Sequence, residues 1–358
     1  MKMADGHMHD VSLVCTMLNE ANTVNDLMHS IAAQTVRPRE VIIVDGGSRD
    51  GTQLHVEWWH GRLGCPLRLI ELTGATIATG RNAGIAAARF PILAITDAGV
   101  RLDAQWLEKI IAPFADETVS VSAGFFVTDP RSLFEVAMGA TVLPDVDEIN
   151  PARFLPSSRS VAIRKSTWER VGGYPAWLDY CEDVVLDLAI REEHLRVALV
   201  PDAIARFRPR TTLRAFWHQY FRYARGDGKA GLWPMRHAIR YVTYGGLLGV
   251  LLWGKRSTPV WSLVIVGAAF ALRRPYARLT PMLHPLSPTE RAEAIALVPL
   301  IRAVGDAAKM CGYPVGSAWR LRQHGFGWTW RDASVIRSNA STVRMIPLSR
   351  SQHGHPSR

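Results

Sequence analysis

Cysteine is scarce and scattered: Cys15, Cys65, Cys181 and Cys311 are the four in 358 residues, and no two of them form a C-x-x-C pair. That spacing argues against a disulfide scaffold and against a zinc site, and it favours a reducing compartment. Met1 to Asp10 has no apolar core of signal-peptide type, so the segment that follows is expected to stay in the cytoplasm. There is no zinc-finger, RNP or helix-turn-helix signature, so a nucleic-acid partner is not expected despite the basic character of the chain. Acidic residues are outnumbered, 32 Asp+Glu against 42 Lys+Arg, for a formal charge of +10. An excess of that sign suits a phosphate-bearing substrate or an acidic membrane surface. It is concentrated between Arg206 and Arg240, where nine basic residues face only Asp227.

What the chain does have is 48% hydrophobic residues, enough to fold around a core. Short apolar runs alternate with helical spacing through the first third. Val11–Met17, Glu40–Asp45, Leu67–Glu71 and Ile92–Thr96 read as strands, and Val24–Gln34, Arg81–Arg89 and Ala104–Phe114 as helices. The alternation predicts a mostly parallel sheet flanked by helices, whose ligands bind beyond the carboxyl ends of the strands.

Four turns at those ends carry chemistry. The first strand runs into Asn19-Glu20, and the second into Asp45-Gly46-Gly47-Ser48-Arg49-Asp50-Gly51-Thr52. Carboxylates there can accept hydrogen bonds from a base or ribose, although a D-G-G-S stretch is also an ordinary turn. Gly80-Arg81-Asn82-Ala83-Gly84 reads as a helix start, where an Arg and free N–H groups could meet a diphosphate. Thr96-Asp97-Ala98-Gly99 follows the fourth strand, and an Asp there can hold a cation that bridges phosphates.

Taken in order, LVCTMLNE, EVIIVDGGSRDGT, GRNAGIAAA and AITDAGVRLD resemble the nucleotide-sugar domain of family-2 inverting glycosyltransferases, which have the GT-A fold. Gly172-Gly173-Tyr174-Pro175 and Cys181-Glu182-Asp183 resemble that family's acceptor-side segment. The resemblance covers roughly residues 11–230. It implies that Asp45 contacts the base, that Glu20 and Asp50 lie near the ribose, and that Arg81 lies beside base and diphosphate. It also implies that Asp97 is the first Asp of the metal-binding D-x-D and that Asp183, preceded by Glu182, is the catalytic base. The D-x-D reads Asp97-Ala98-Gly99 here, so its third position lacks a carboxylate. The expectation is a retained but weaker Mg²⁺ or Mn²⁺ site on Asp97, against the alternatives of another carboxylate such as Asp103 reaching in, or a metal-independent enzyme.

Gln219-Tyr220-Phe221-Arg222-Tyr223 is similar to the family's Q-x-x-R-W motif, with Tyr223 in place of Trp. Gln219, Arg222 and Arg225 are therefore expected on the acceptor and diphosphate side. Farther on, His237–Trp253 and Pro259–Leu272 are apolar but at or below the ~17 residues that a membrane span needs at minimum. Basic residues flank the pair, so a membrane-associated hairpin at 237–272 on the cytoplasmic face is expected, either spanning or lying on the bilayer, with two buried core helices as the alternative. Ala292–Trp319, with its Asp306-to-Tyr313 run, reads as one or two amphipathic helices.

The expected layout is an N-terminal extension (1–10), a GT-A domain (11–230), a hydrophobic helical region (231–330) and a basic tail (331–358). The function implied is inverting transfer of a sugar from a nucleotide-diphosphate sugar, UDP-linked by family habit, to a saccharide or lipid-linked acceptor in cell-surface or extracellular glycan synthesis. The competing classes are a catalytically degenerate membrane scaffold and a sugar nucleotidyltransferase. The latter would carry a Gly-rich loop near the N-terminus, where this chain has Asn19-Glu20.

Overall fold

The structure is a computed structural model that describes residues 10–253 and 258–333. Most of the N-terminal extension, the 254–257 link and nearly all of the basic tail lie outside the described residues. In chain order the elements are β1 (Val11–Met17), α1 (Val24–Ala32), β2 (Glu40–Asp45), α2 (Thr52–Trp58), β3 (Leu67–Glu71), α3 (Ile77–Ala87), β4 (Ile92–Asp97), β5 (Val100–Leu102) and α4 (Trp106–Ile111). Then come β6 (Val119–Thr128), α5 (Leu133–Val142), β7 (Val161–Arg164), α6 (Lys165–Val171), α7 (Glu182–Glu192), β8 (Arg196–Phe207) and α8 (Leu213–Ala230). The chain ends in α9 (Pro234–Trp253), α10 (Thr258–Leu279), α11 (Pro288–His324) and α12 (Trp330–Ala333).

One sheet orders the strands β3-β2-β1-β4-β7-β6-β8-β5. The β1–β2, β1–β4, β2–β3 and β6–β8 pairs are parallel, while β7 joins β4 and β6, and β5 joins β8, in antiparallel fashion. The sheet is therefore mixed, where the strand–helix alternation had suggested a mostly parallel one. Each antiparallel pair includes β7 or β8, strands from the second half of the domain, where that alternation gives out.

Period-two alternation builds two cores from the same strands. Leu13, Cys15 and Met17 of β1 and Val41 and Ile43 of β2 pack with Val24, Leu27, Met28 and Ile31 of α1 on one face. Val14, Ile42 and Val44 pack with Ala78 and Ile85 of α3 on the other. Gly80 and Gly84 set the depth of α3: a Cβ at Gly84 would stand 2.6 Å from Val14 Cγ1, and one at Gly80 3.0 Å from Thr16 Cγ2. These glycines serve helix–sheet approach rather than a ligand.

The long helix α11, 37 residues, is a single element along α8 and α5. It lies so close to α8 that a Cβ at Gly312 would run into the Phe221 carbonyl, and one at Gly316 into that of Arg225. Asp306, on the same helix, is a buried hub: Arg240 Nε is 2.9 Å away, Arg302 Nε 3.0 Å and Lys309 Nζ 3.8 Å, and the Tyr244 hydroxyl donates at 3.2 Å. The Asp306-to-Tyr313 run is thus a packing and ion-pairing device. Among the described residues no helix is long and apolar enough to cross a membrane, so a bilayer-spanning pair at 237–272 is not found there. Instead α9 and α10 leave Val242, Leu248, Leu252, Leu263, Ile265 and Phe270 more than half exposed.

Candidate active site

The ends of β1, β2 and β4 are level. Met17 pairs with Asp45 and Thr16 with Asp97, which puts two carboxylates at the point where strand order reverses around β1. Asp45 is fully buried and is held by its own turn, accepting from the Ser48 N–H at 3.1 Å, the Ser48 hydroxyl and the Gln53 amide. Glu20, just past β1, accepts from the Thr23 hydroxyl, and its N–H donates to Thr52 Oγ1 at 2.8 Å. Burial, more than any neighbour, lifts its carboxyl above the usual range, and Asp97 and Asp50 add to the rise while Arg210 opposes it. Asp97, Asp50 and Arg210 thus all act on the charge of Glu20.

Asp50 is used differently. It accepts from the Ala21 N–H at 3.0 Å, the Thr52 N–H at 3.1 Å and the Thr52 hydroxyl at 2.5 Å. It clips the two loops together.

Arg81 departs most from the sequence reading. The helix begins at Ile77, with Thr76 accepting from the Thr79 N–H at 3.2 Å, so Arg81 lies inside it and not at a start with free N–H groups. Its side chain is only 2% exposed and spans two carboxylates, 2.6 Å to Asp97 Oδ1 and 2.5 Å to Glu182 Oε1. Its guanidinium carbon is 5.3 Å from the Tyr174 ring centre. Arg81 is engaged as a buried brace between the donor-side and acceptor-side segments.

Glu182 and Asp183 open α7. Burial first, then the neighbouring Asp183, pushes the Glu182 carboxyl up to about 7 against the pull of Arg81. Asp183 is less buried and its Oδ1 accepts from the Val184 N–H at 2.9 Å, so its side chain makes a local contact and no ion pair among the described residues. Asp187, one turn on, has an oxygen without a partner among the described residues, and burial raises it well above the carboxylate range.

On α8 the acceptor-side residues turn mainly toward protein. Gln219 Nε2 donates to the Tyr223 hydroxyl at 2.8 Å, joining the two ends of the Q-x-x-R-Y run one turn apart. Arg222 donates to the Tyr180 hydroxyl at 3.0 Å. Arg225 pairs with Asp179, which Lys229 also contacts at 2.8 Å. Arg222 and Arg225 do share a face, as their spacing implied, but it meets the loop before α7.

Arg159 was not singled out by sequence; an isolated Arg just ahead of β7 carries no periodic or motif signal. Its Nε lies 3.7 Å from Asp97 Oδ2, and its guanidinium carbon is 4.9 Å from the Phe207 ring centre and 5.5 Å from that of Phe126. Burial works against its charge, but Tyr223 and Asp97 beside it more than compensate and raise its pKa. Asp97 is the mirror case: burial pushes it up, and Arg81 and Arg159 bring it below the usual value.

This donor set fits the expected divalent cation poorly. One carboxylate, Asp97, stands alone because position 99 is Gly, and two guanidiniums already face its oxygens. A dication there would be repelled by both. Asp103 does not reach in, since both its oxygens accept from Arg206, at 2.7 and 3.0 Å. Among the described residues no three His, Cys, Asp or Glu side chains are grouped to hold a metal.

The site thus joins level strand ends with acidic turns to a second acidic pair through Arg81, beside a basic aromatic helix. Residues 12–163 match the model of Glycosyl transferase family 2, and the chain therefore carries a domain of that family. The chain is 31% identical over 114 residues to validoxylamine A glucosyltransferase of Streptomyces hygroscopicus subsp. limoneus, covering 31% of this chain and 25% of that one. It is 31% identical over 131 residues to dodecaprenyl-phosphate galacturonate synthase of Rhizobium johnstonii, covering 35% and 38%. The matches thus span well under half the length of these relatives. Among solved structures it is similar to the mannosyltransferase PcManGT from Pyrobaculum calidifontis in complex with GDP-Man and Mn²⁺. That likeness has a TM-score of 0.52 at 22% identity, over 88% of this chain and 87% of that one, and establishes a shared GT-A-like α/β fold.

Proposed function

We propose that the chain transfers a sugar from a nucleotide-diphosphate sugar to a hydroxyl of a saccharide or lipid-linked acceptor, with inversion. The observation that carries this is the single buried guanidinium of Arg81, which touches Asp97 and Glu182 at 2.6 and 2.5 Å. The donor-side strand end and the acceptor-side helix start are therefore one side chain apart. In this reading Asp45 and Glu20 take the base and ribose, and Asp183 takes the proton of the attacking hydroxyl. The local hydrogen bond of Asp183 leaves its second oxygen free for that purpose. Glu182, its carboxyl raised to about 7, is about half protonated at pH 7 and so carries only part of a second negative charge beside the base. UDP is the preferred nucleotide, and a role in cell-surface or extracellular glycan synthesis follows from an acceptor of this class.

Calorimetric titration with UDP, GDP and dTDP tests the reading. Micromolar binding of one of them, lost in Asp45→Ala, is expected; no binding of any would refute it. The exposed apolar side chains of α9 and α10, with Arg236, Arg273 and Arg274 at their flanks, support attachment of this region to the cytoplasmic face of a membrane. Flotation with anionic liposomes is expected to carry the wild type. It is expected to fail for a variant with Leu248, Leu263, Ile265 and Phe270 changed to Gln.

A further inference from the structure

We propose that Arg159 takes the place of the divalent cation in this domain, neutralising the departing diphosphate directly. The proposal rests on the transfer reading above and adds a residue to it. In the transfer step the acceptor oxygen bonds to the anomeric carbon, its proton passing to Asp183. The bond from that carbon to the phosphate oxygen breaks, and the electron pair leaves with the nucleoside diphosphate. The leaving group gains one negative charge, and a positive group must already stand beside it.

Arg159 meets the requirements. Its guanidinium lies against the Phe126 and Phe207 rings, at 5.5 and 4.9 Å, which stand on two paired strands and meet each other edge-on. Tyr223 is beside it, itself bound to Gln219. Its contact with Asp97 is loose, 3.7 Å, and a quarter of its side chain is open to solvent. A planar fork stacked on aromatic faces, with donors left over, is a preorganised phosphate ligand. Arg81, by contrast, is committed on both sides and 2% exposed. Arg81 holds Asp97, Asp97 stands beside Arg159, and Arg159 keeps an edge open to solvent. The missing D-x-D carboxylate is then no defect. A Cβ at Gly99 would meet nothing within 4 Å, so an acidic side chain has room there and its absence is not imposed by packing.

Three measurements on the whole protein test this. First, sugar-nucleotide turnover by the wild type is expected to be unchanged by EDTA. Loss of turnover in EDTA with recovery on adding Mn²⁺ would overturn the proposal while leaving the transfer reading intact. Second, Arg159→Ala is expected to lower kcat by roughly 100- to 1,000-fold. It should also weaken binding of the nucleoside diphosphate far more than that of the monophosphate, with thermal melting as the check on folding. Equal weakening of both nucleotides would overturn it. Third, Gly99→Asp combined with Arg159→Ala restores two carboxylates and removes a competing cation. That pair is expected to bind Mn²⁺, read as loss of the free-ion electron paramagnetic resonance signal, where the wild type binds none. Mn²⁺ binding by the wild type at micromolar concentration would count against the proposal. A wild type that binds no nucleoside diphosphate would instead sink the transfer reading itself.

Discussion

Replacing Arg81 by Met removes the one cation shared by Asp97 and Glu182 while keeping much of its volume. Both carboxylates lie within 2.6 Å of its guanidinium, and Glu182 is 7% and Asp97 23% exposed. Leaving buried charges without their partner costs about 3–5 kcal/mol. At roughly 2 °C per kcal/mol, the lower end for chains of this size, that is a melting-point fall of about 8 °C at pH 8.

The loss must depend on pH. Glu182 has its carboxyl raised to about 7 even with Arg81 present, and higher without it. At pH 5 it is protonated in both proteins and no longer needs the cation. The deficit then falls to that of Asp97 alone, roughly half or about 4 °C, since Asp97 is the more exposed partner. Circular-dichroism melts of the wild type, Arg81→Met and Arg81→Lys at pH 5 and 8 measure this, with Arg81→Lys intermediate because an ammonium cannot bridge both groups in plane. An identical fall at the two pH values, or one below about 2 °C at pH 8, would refute the bracing role.

Three further outcomes follow from the geometry. Asp183→Asn should keep its melting temperature, since the side chain bonds only to a neighbouring N–H, yet lose roughly 100- to 10,000-fold in kcat; activity within tenfold of wild type in steady-state assays would reject Asp183 as base. Glu182→Gln should flatten the pH dependence of stability. A carboxyl raised from 4.5 to about 7 holds its proton more firmly when folded, so its contribution is full below about pH 4.5 and is lost as pH rises through 7. That is roughly 3 kcal/mol across the window, read as the difference in slope between wild-type and variant urea midpoints. Gly312→Ala should force α11 off α8, because its Cβ would meet the Phe221 carbonyl. An expected cost of about 1–3 kcal/mol would show in the same urea titration, and a neutral result would mean the two helices are not so closely seated.

How far the sequence reached differs between the halves of the domain. Val11–Met17, Glu40–Asp45 and Leu67–Glu71 have the bounds their apolar runs predicted, because a parallel strand buried on both faces is continuous in composition and punctuated by polar turns. β6 and β8 left no such trace. Residues 119–128 mix Ser, Gly and Phe, and their partners lie in residues 196–207, a pairing no local window contains. The motif order identified the family and brought Glu20, Asp45, Asp97, Glu182 and Asp183 to attention, since carboxylates at strand ends and helix starts are local features.

Partners of the cations were another matter. Arg81 read as a phosphate ligand because GRNAG looks like a helix start, but α3 begins three residues before Gly80, and that phase turns Arg81 inward to Asp97 and Glu182. Arg225 read as another and is taken by Asp179, while Arg159, which read as nothing, received the aromatic walls and the approach to Asp97. Chain-local periodicity determined the strands and located the acidic turns, and the ordered motifs carried the family resemblance. Which guanidinium is spent inside the protein and which keeps an edge open to solvent was decided by tertiary packing, because a charge's effect depends on burial and on neighbours that are 16 to 101 residues away in sequence for Arg81 alone.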